Sequence, residues 1–511
     1  MSSKVNVHEA DIKLVNAVSS CFLIYMLTLY PLFMHDGYFD ITLTKFTLLR
    51  VGILIYGFLM IIGIFMLETD KLSLRSTEKK KYKGSFMVVD ICGFMFLLSG
   101  FLAFLNAPVK SAAYTGINGR RCGLQFLLLM AVMYIMLSYS LRLVGYIFQI
   151  FAAVSSFTYV IAILQHLGFD VFGLLENVTQ KQQHMFVSTF GNINTFAGFI
   201  CVSLPLFFGL YIFAGELKSR ITYGITIGLG FAAIIASDSD CAYAGCGAAI
   251  VAFLFVAVYN RKKLLYLQTA IYGSFGYTLM AVITKYMGEV PDDIEGFSVM
   301  STCIGALVVI TSSLIVIYIL CKLFGARLEM PVRCQMLIVA IVIFISIIVF
   351  VIYGVSQEIA LFTFDDSWGT YRGYVWIRLM ELYKDFSLKD KLIGYGNETI
   401  AALMNTNYYA EMNAVTGTVY DNAHNEYLQY LITMGILGAA SFVALLVSTI
   451  VMCFKRAKNN PVLWALALSV ISYAAQAAFN VNQSITTPYL FLFISVAAGI
   501  VRAENKGLKN M

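Results

Sequence analysis

Long apolar runs separated by short polar links dominate the chain. Apolar segments of about 18 residues or more recur from one end to the other, and as helices each can cross a hydrocarbon core of about 30 Å. The pattern predicts an all-α fold, a polytopic transmembrane helical bundle of about fourteen spans. The predicted spans lie near residues 12–34, 46–67, 86–106, 123–141, 143–165, 192–213, 221–236, 241–259, 264–287, 300–321, 335–354, 427–454, 461–479 and 488–502.

The composition excludes an ordinary soluble enzyme. The 511 residues are 59% hydrophobic and only 13% charged, with a mean hydropathy of +0.79, whereas soluble domains carry about 25% charged residues. The first apolar run is too long for the core of a signal peptide, so we expect it to remain as an anchor. We therefore treat residues 1–511 as a single integral membrane domain.

The distribution of lysine and arginine predicts the orientation of this domain. With fourteen spans, all the large basic clusters fall on one side, which the positive-inside rule makes cytoplasmic, together with both termini. The net charge of +6 then reflects topology, and we expect no nucleic-acid partner. The basic clusters are Lys71–Lys83, Lys218/Arg220, Arg261–Lys263, Lys322–Arg333, Lys455–Lys458 and Arg502–Lys509.

Residues 355–423 form a large loop on the opposite, extracytoplasmic side, where the acidic stretch 289–295 also lies. Loops of this length are usually functional or disordered. Its many aromatic residues, including Trp368, argue against disorder, so we expect a folded lid over the ends of the spans. Its apolar spacing predicts an amphipathic helix on the membrane surface, and a second helix is predicted across Glu398–Asn405. The residues of the amphipathic pattern are Val375, Trp376, Leu379, Met380, Leu382 and Tyr383.

His424 follows the lid directly and precedes a long apolar run. With an unperturbed pKa near 6.5, its imidazole can act as a general base toward a hydroxyl; the alternative is a surface histidine bonded to a loop carbonyl. We expect Asp421 or Asn422 to cap the helix that follows. His424 shares one predicted helical stripe with Gly435 and Gly438, a spacing that favours close approach of a neighbouring helix.

Four arginines are predicted on the lid side, and two of them, Arg120 and Arg121, run against the orientation rule. Arg372 and Arg378 lie in the lid, and Arg120 and Arg121 lie in the loop between residues 106 and 122. Guanidinium groups suit bidentate binding of phosphate oxygens, although a single arginine near a membrane often only reaches lipid headgroups.

Two further polar motifs allow a functional and a structural interpretation. Asn192 and Asn194 precede an apolar run and can bind an anion or sugar hydroxyls, or simply cap a helix. Asp238 and Asp240 form a tight turn that can coordinate a divalent cation, although capping is the preferred interpretation. The ten cysteines show no disulfide framework, and no metal site is predicted.

Together, several of these motifs resemble the O-antigen ligase and polymerase superfamily of membrane glycosyltransferases. The similarity extends over about residues 110–500, with a ligase-like core at about 185–450. The motifs that carry it are His424-Asn425-x9-Gly435-x-x-Gly438, Phe190-Gly191-Asn192-Ile193-Asn194 with Pro205, Tyr371-Arg372 through Trp376 to Gly394-Tyr395-Gly396, and Arg120-Arg121-Cys122-Gly123-Leu124.

The resemblance implies a GT-C-like enzyme on the outer face of the bacterial cytoplasmic (inner) membrane. Such enzymes transfer an oligosaccharide from undecaprenyl pyrophosphate to a glycan or lipid acceptor, without a cofactor and, in the characterised ligases, without a metal. His424 would be the catalytic base, and Arg372 would bind the pyrophosphate and stabilise its developing charge. The candidate substrate-binding residues are Arg120, Arg121, Arg378, Asn192, Asn194 and Asn425.

One departure from the family pattern concerns phosphate binding. Many members carry Ser-Arg where this chain has Ser239-Asp240, so another cation, or a metal at the Asp238/Asp240 turn, would have to replace that arginine. A polymerase is preferred to a ligase because the spans are numerous. The alternatives are a flippase or transporter of lipid-linked oligosaccharide, which we expect to carry charges in mid-membrane, and an O-linked protein oligosaccharyltransferase.

Overall fold

Nearly all regular structure in the described residues is helical, which confirms the predicted all-α fold. The computed structural model describes residues 2–73, 86–117, 119–143, 145–287, 300–324, 331–356 and 362–505. Within these ranges the only strands form a short antiparallel ribbon, β1 (Phe186–Val187) with β2 (Gly191–Asn192). The helices are α1 (Ser2–Leu27), α2 (Leu29–Leu32), α3 (Ile41–Ser73), α4 (Val88–Asn106), α5 (Lys110–Thr115), α6 (Leu124–Ser140), α7 (Tyr146–His166), α8 (Ile193–Phe213), α9 (Leu217–Ser237), α10 (Asp240–Tyr259), α11 (Lys263–Met287), α12 (Ile304–Phe324), α13 (Val332–Ser356), α14 (Trp368–Asp385), α15 (Leu388–Ile393), α16 (Ile400–Thr416), α17 (Glu426–Arg456), α18 (Val462–Gln476) and α19 (Thr487–Asn505).

Every predicted span coincides with a helix. In the described residues, 10 helical segments are long and apolar enough to cross a membrane. Three shorter apolar helices, in α6, α13 and α18, supplement them, and α11 is a further helix of 25 residues. Several predicted loop features lie outside the described residues, namely Arg75–Lys83, the acidic stretch 289–295, Arg327, and Lys506 with Lys509.

Polar contacts group the described connections at two ends of the bundle. At the end that carries the lid, Tyr38 donates to the carbonyl of Ser188 (2.7 Å) and Asn480 donates to that of Asn194 (2.8 Å). At the opposite end, the amide of Arg142 donates to Asn16 (2.6 Å). The predicted alternation of the spans is therefore consistent with the packing.

The centre of the bundle is formed by α8 and α19. The apolar windows of both helices are 94% buried, whereas that of α12 is only 6% buried. A helix that is apolar on all sides, such as α8, can be enclosed completely by other helices. At Gly209 its backbone lies so close to Ala465 of α18 that an added Cβ would come within 2.5 Å of the alanine Cα.

Four charged residues of the described spans are buried. Lys45 donates to the carbonyls of Tyr30 (2.7 Å) and Pro31 (2.9 Å). Asp90 accepts a hydrogen bond from Arg502, so Arg502 belongs to the bundle instead of a basic tail. The fourth, Glu426, lies at the first position of α17. All four lie close to the ends of their helices, where the cost of burial is smaller than in mid-membrane.

The lid comprises α14, α15 and α16 and has its own apolar core. Val375 and Leu379 of α14 are completely buried against residues of α16 and the start of α17. The amphipathic helix predicted from these residues therefore exists, but its apolar face packs within the lid and against α17 instead of on lipid. The predicted second helix corresponds to α16, which begins at Ile400.

A backbone break at Gly435 attaches the lid to α17. Gly435 has φ +67° and ψ −171°, which interrupts the helix. The carbonyls of Ile432 and Thr433 accept hydrogen bonds from the lid amides of Tyr395 (3.0 Å) and Gly396 (3.1 Å). The glycine spacing was expected to bring a membrane helix close; instead, the segment that approaches Gly435 is the lid backbone at Leu392 and Gly394.

Candidate active site

His424 lies in a sharply turned loop between the lid and α17. Its φ is +46°, in the left-handed region that is uncommon for a residue with a side chain. The Asn422 side chain accepts a hydrogen bond from the His424 amide (2.8 Å) and so supports this turn. The cap of α17 is Asn425, which accepts from the amide of Leu428 (3.0 Å). The predicted caps at Asp421 and Asn422 are therefore wrong, and the proposed substrate-binding residue Asn425 has a structural role as well.

The surroundings of His424 keep its imidazole neutral. Burial lowers its pKa to about 3, and the positive charges of Arg372 and Arg120 act in the same direction, while Asp421 opposes them. The ring packs edge-on against Tyr420, with 5.6 Å between centroids. An unprotonated imidazole at neutral pH has a free nitrogen lone pair, which general-base chemistry requires.

Arg372 brings an unneutralised cation to this site. Its Nη1 donates to the carbonyl of Gly369 (2.8 Å), and its Nε is buried without a hydrogen-bond partner. Within the part of the chain that the structure describes, no carboxylate forms an ion pair with it. Its charge acts on His424, on Tyr420 and on Cys241 at the start of α10. Arg372 thus lies near the start of α10, where Asp240 is located.

The backbone around Arg372 is strained, and this region is hydrogen-bonded to the histidine loop, residues 420–425. Thr370 and Tyr371 both have positive φ, at +59° and +63°. The hydroxyl of Tyr420 donates to the Thr370 carbonyl (2.8 Å) and the Trp376 indole donates to the carbonyl of Ala423 (2.8 Å). Strained backbone of this kind persists only where the surrounding contacts hold it, and it clusters at functional sites.

The structure pairs Arg120 with two carboxylates. Its Nη1 lies 2.8 Å from the Asp421 side chain, and its Nη2 lies 3.3 Å from Glu398. Nη2 also donates to the Asp421 carbonyl at 2.8 Å. Arg121, the next residue, is half-buried with a left-handed backbone (φ +57°) and an Nε that has no hydrogen-bond partner.

Arg378 lies on the far side of the lid helix in an acidic setting. It contacts Glu411 at 2.7 Å, with Asp366 and Glu381 each at 3.6 Å. Its guanidinium also stacks over the ring of Tyr374, 4.9 Å from the centroid. These partners hold the lid helices together, and no sequence motif indicated that one arginine would contact three acidic residues.

Asn192 and Asn194 adopt different roles at the start of α8. Asn192 caps the helix by accepting from the amide of Asn194 (2.8 Å). The Asn194 side chain accepts from the hydroxyl of Ser239 (2.7 Å). Its carbonyl accepts from Asn480 (2.8 Å), so Asn194 belongs to a polar layer beneath the lid.

Sequence reasoning missed two parts of this polar layer. Glu426, completely buried, accepts from the hydroxyls of Tyr430 and Tyr473, both at 2.9 Å. The link between α18 and α19 is also buried and polar, and its Gln483 exchanges hydrogen bonds with Thr195 (2.7 and 3.0 Å). The available signal was the run Asn480–Thr487, which is unusually rich in amides and hydroxyls for a short connection.

The Asp238/Asp240 turn joins α9 to α10. Asp238 has φ +42° and ends α9, while Asp240 begins α10. In the described residues, no group of three or more histidine, cysteine, aspartate or glutamate side chains is arranged to hold a metal ion. Cys241 and Cys246 are both buried as free thiols.

Residues 298–443 match the family model described as O-antigen ligase, a range that includes α12, α13, the lid and His424. No significant match to a curated protein or to a solved structure accompanies it. The chain therefore carries an O-antigen ligase domain over residues 298–443, and this domain together with the apolar helices indicates a membrane protein of polysaccharide biosynthesis.

Proposed function

We propose that this protein is a membrane glycosyltransferase that extends or transfers glycans from undecaprenyl pyrophosphate at the outer face of the bacterial cytoplasmic membrane. Family membership supports a lipid-linked glycan as donor in general terms. The observation that carries the proposal is the neutral imidazole of His424 beside the unpaired guanidinium of Arg372, beneath a folded lid.

In the proposed reaction, His424 accepts the proton of an acceptor hydroxyl on a glycan or lipid. The resulting oxygen nucleophile forms a bond to the anomeric carbon of the donor sugar, and the bond from that carbon to the pyrophosphate oxygen breaks. Undecaprenyl pyrophosphate leaves with the bonding electrons, and Arg372 stabilises the negative charge that develops on it. The half-buried setting strengthens this interaction relative to water.

The other candidate residues fit supporting roles in this proposal. Arg121 has an unpartnered Nε near the loop of the site and is a candidate for donor phosphate binding. Asn192, Asn194 and Asn425 already support backbone and side-chain structure, so we propose that they shape the sugar-binding surface. Arg378 would affect the substrate only indirectly, by stabilising the lid, because its guanidinium is already paired with acidic side chains.

A polymerase remains preferred to a ligase on the number of helical spans, and a transporter is disfavoured. The buried charges of the described spans lie near helix ends, and each contacts polar groups of the protein. A transport path would place such groups in mid-membrane. An O-linked protein oligosaccharyltransferase would use the same base and cation and differ in its acceptor.

Substitution of the two central residues tests the proposal. We expect His424→Ala to reduce glycan transfer by about 10²–10⁴-fold, the usual contribution of a general base, without loss of membrane insertion. Arg372→Ala should also reduce transfer, with a rise in the KM for the lipid-linked donor. The measurement is glycan product formed by purified full-length protein from lipid-linked donor.

Matched controls are available on the same side of the bundle. His184 and Lys389 are both exposed, so His184→Ala and Lys389→Ala should leave transfer near the wild-type rate. Wild-type product yield and length from His424→Ala would refute the catalytic role. If transfer stops on chelation of divalent cations, the Asp238/Asp240 turn replaces Arg372 as the proposed phosphate site.

A further inference from the structure

We propose that Arg120 is a positioning residue that fixes the His424 loop through Asp421 and does not itself bind the donor phosphate. This inference rests on the proposed function for its catalytic consequence. Arg120 was a candidate phosphate ligand because guanidinium groups favour phosphate oxygens. Its contacts in the folded chain indicate a positioning role instead.

The guanidinium of Arg120 is enclosed and already neutralised. Its side chain is only 5% exposed, and it lies between the carboxylates of Asp421 and Glu398. Burial alone would lower the pKa of Arg120, but these two carboxylates raise it above its usual value. A phosphate would have to displace Asp421 or the buried Glu398, and displacement of Glu398 would leave an unpaired buried charge.

The contacts of Arg120 define the path of the histidine loop. Arg120 holds Asp421 twice, through the side-chain carboxylate and through the backbone carbonyl. Asp421 also accepts from the Asn422 side chain (2.7 Å), and Asn422 supports the left-handed turn at His424. A fixed chain of contacts therefore runs from Arg120 to the amide of His424.

The same guanidinium connects three segments that are distant in sequence. Glu398, with φ +57° and a side chain that is 2% exposed, lies just before α16 in the lid. Asp421 lies in the histidine loop, and the Arg120 carbonyl accepts from Ser484 of the α18–α19 link (3.1 Å). Arg120 therefore fixes the lid, the histidine loop and the bundle relative to one another, and Arg372 remains free to bind the donor.

A kinetic comparison separates positioning from phosphate binding. Lysine keeps the charge but cannot bridge both carboxylates, so Arg120→Lys should lower kcat by about 10²-fold, the effect of a displacement of about 1 Å. The KM for the lipid-linked donor should change by less than about threefold. A phosphate ligand would instead raise the KM for the donor on substitution, which we expect for Arg372→Lys.

A double-mutant cycle provides the second test. If Arg120 acts through Asp421, the variant Arg120→Gln/Asp421→Asn should be no slower than the slower of its two single variants. Multiplied defects in the double variant would overturn the proposal, because they would mean that the two residues act independently.

Hydrogen exchange of residues 420–425 tests the positioning without reference to catalysis. In the full-length protein, Arg120→Gln should accelerate exchange in this loop while α8 remains protected. Unchanged exchange would refute the positioning role. Accelerated exchange together with an active His424→Ala variant would instead refute the proposed function and leave the positioning role intact.

Discussion

At the residue level, the environment of His424 poses a specific chemical problem. Burial and two arginines lower its pKa to about 3, which keeps the imidazole unprotonated but makes it a weak base on its own. Bound pyrophosphate would place negative charge beside Arg372 and so offset the effect of this arginine on the pKa of His424. We infer that the donor itself raises the basicity of His424, so that the base becomes effective only when there is a sugar to transfer.

This inference predicts an unusual pH dependence of activity. A lowered pKa keeps the neutral form to lower pH, so kcat/KM, which reports the free enzyme, should show no acid limb near the usual histidine value of 6.5. The acid limb of kcat, which reports the donor complex, should lie at higher pH than that of kcat/KM. Initial rates measured between about pH 5 and 8 provide the comparison, and an acid limb near 6.5 in kcat/KM would contradict it.

At the element level, the break in α17 explains why residue 435 is a glycine. An added Cβ there would lie 2.4 Å from the carbonyl carbon of Leu392, and φ +67° is unfavourable for other residues. Gly394 on the lid faces it, with an added Cβ 2.2 Å from the Thr433 carbonyl oxygen. The two glycines thus allow two backbones to meet, and the freed carbonyls of α17 bind the lid.

We therefore predict that Gly435→Ala loosens the lid without unfolding the bundle. Hydrogen exchange should increase across α15 and the amides of Tyr395 and Gly396, and glycan transfer should fall by at least about tenfold, since misplacement of a lid commonly costs more than that. The matched control is Gly247→Ala in α10, where no atom lies within 4 Å of the added Cβ. Equal effects of the two substitutions would show that the break is not the attachment point of the lid.

The break also shows where sequence reasoning stops. Apolar periodicity predicted the helices of the spans and the amphipathic face of α14, because these depend on local pattern. It could not predict that Gly435 would interrupt α17, because the partner of that break is the lid backbone about forty residues earlier. The pairing of Arg120 with Glu398 and Asp421, and the buried Glu426, likewise depend on segments far apart in the chain.

At the level of the whole molecule, the alternating spans place the lid, His424 and Arg372 at one end and the described basic connections at the other. Lys262, in the link between α10 and α11, and Lys455, near the end of α17, lie at the end away from the lid. If the positive-inside rule holds, the site faces away from the cytoplasm, where an undecaprenyl-linked donor would have to be presented after its transfer across the membrane.

Cysteine labelling in intact cells tests this orientation. Tyr409 on the lid is 57% exposed, and Lys262 is exposed at the other end. In an active background without the ten native cysteines, a membrane-impermeant maleimide should label Tyr409→Cys in intact cells and Lys262→Cys only after permeabilisation. The reverse pattern would place the lid in the cytoplasm and exclude transfer at the outer face. Labelling of both sites after permeabilisation provides the control, because it shows that each cysteine is accessible to the reagent once the membrane barrier has been removed.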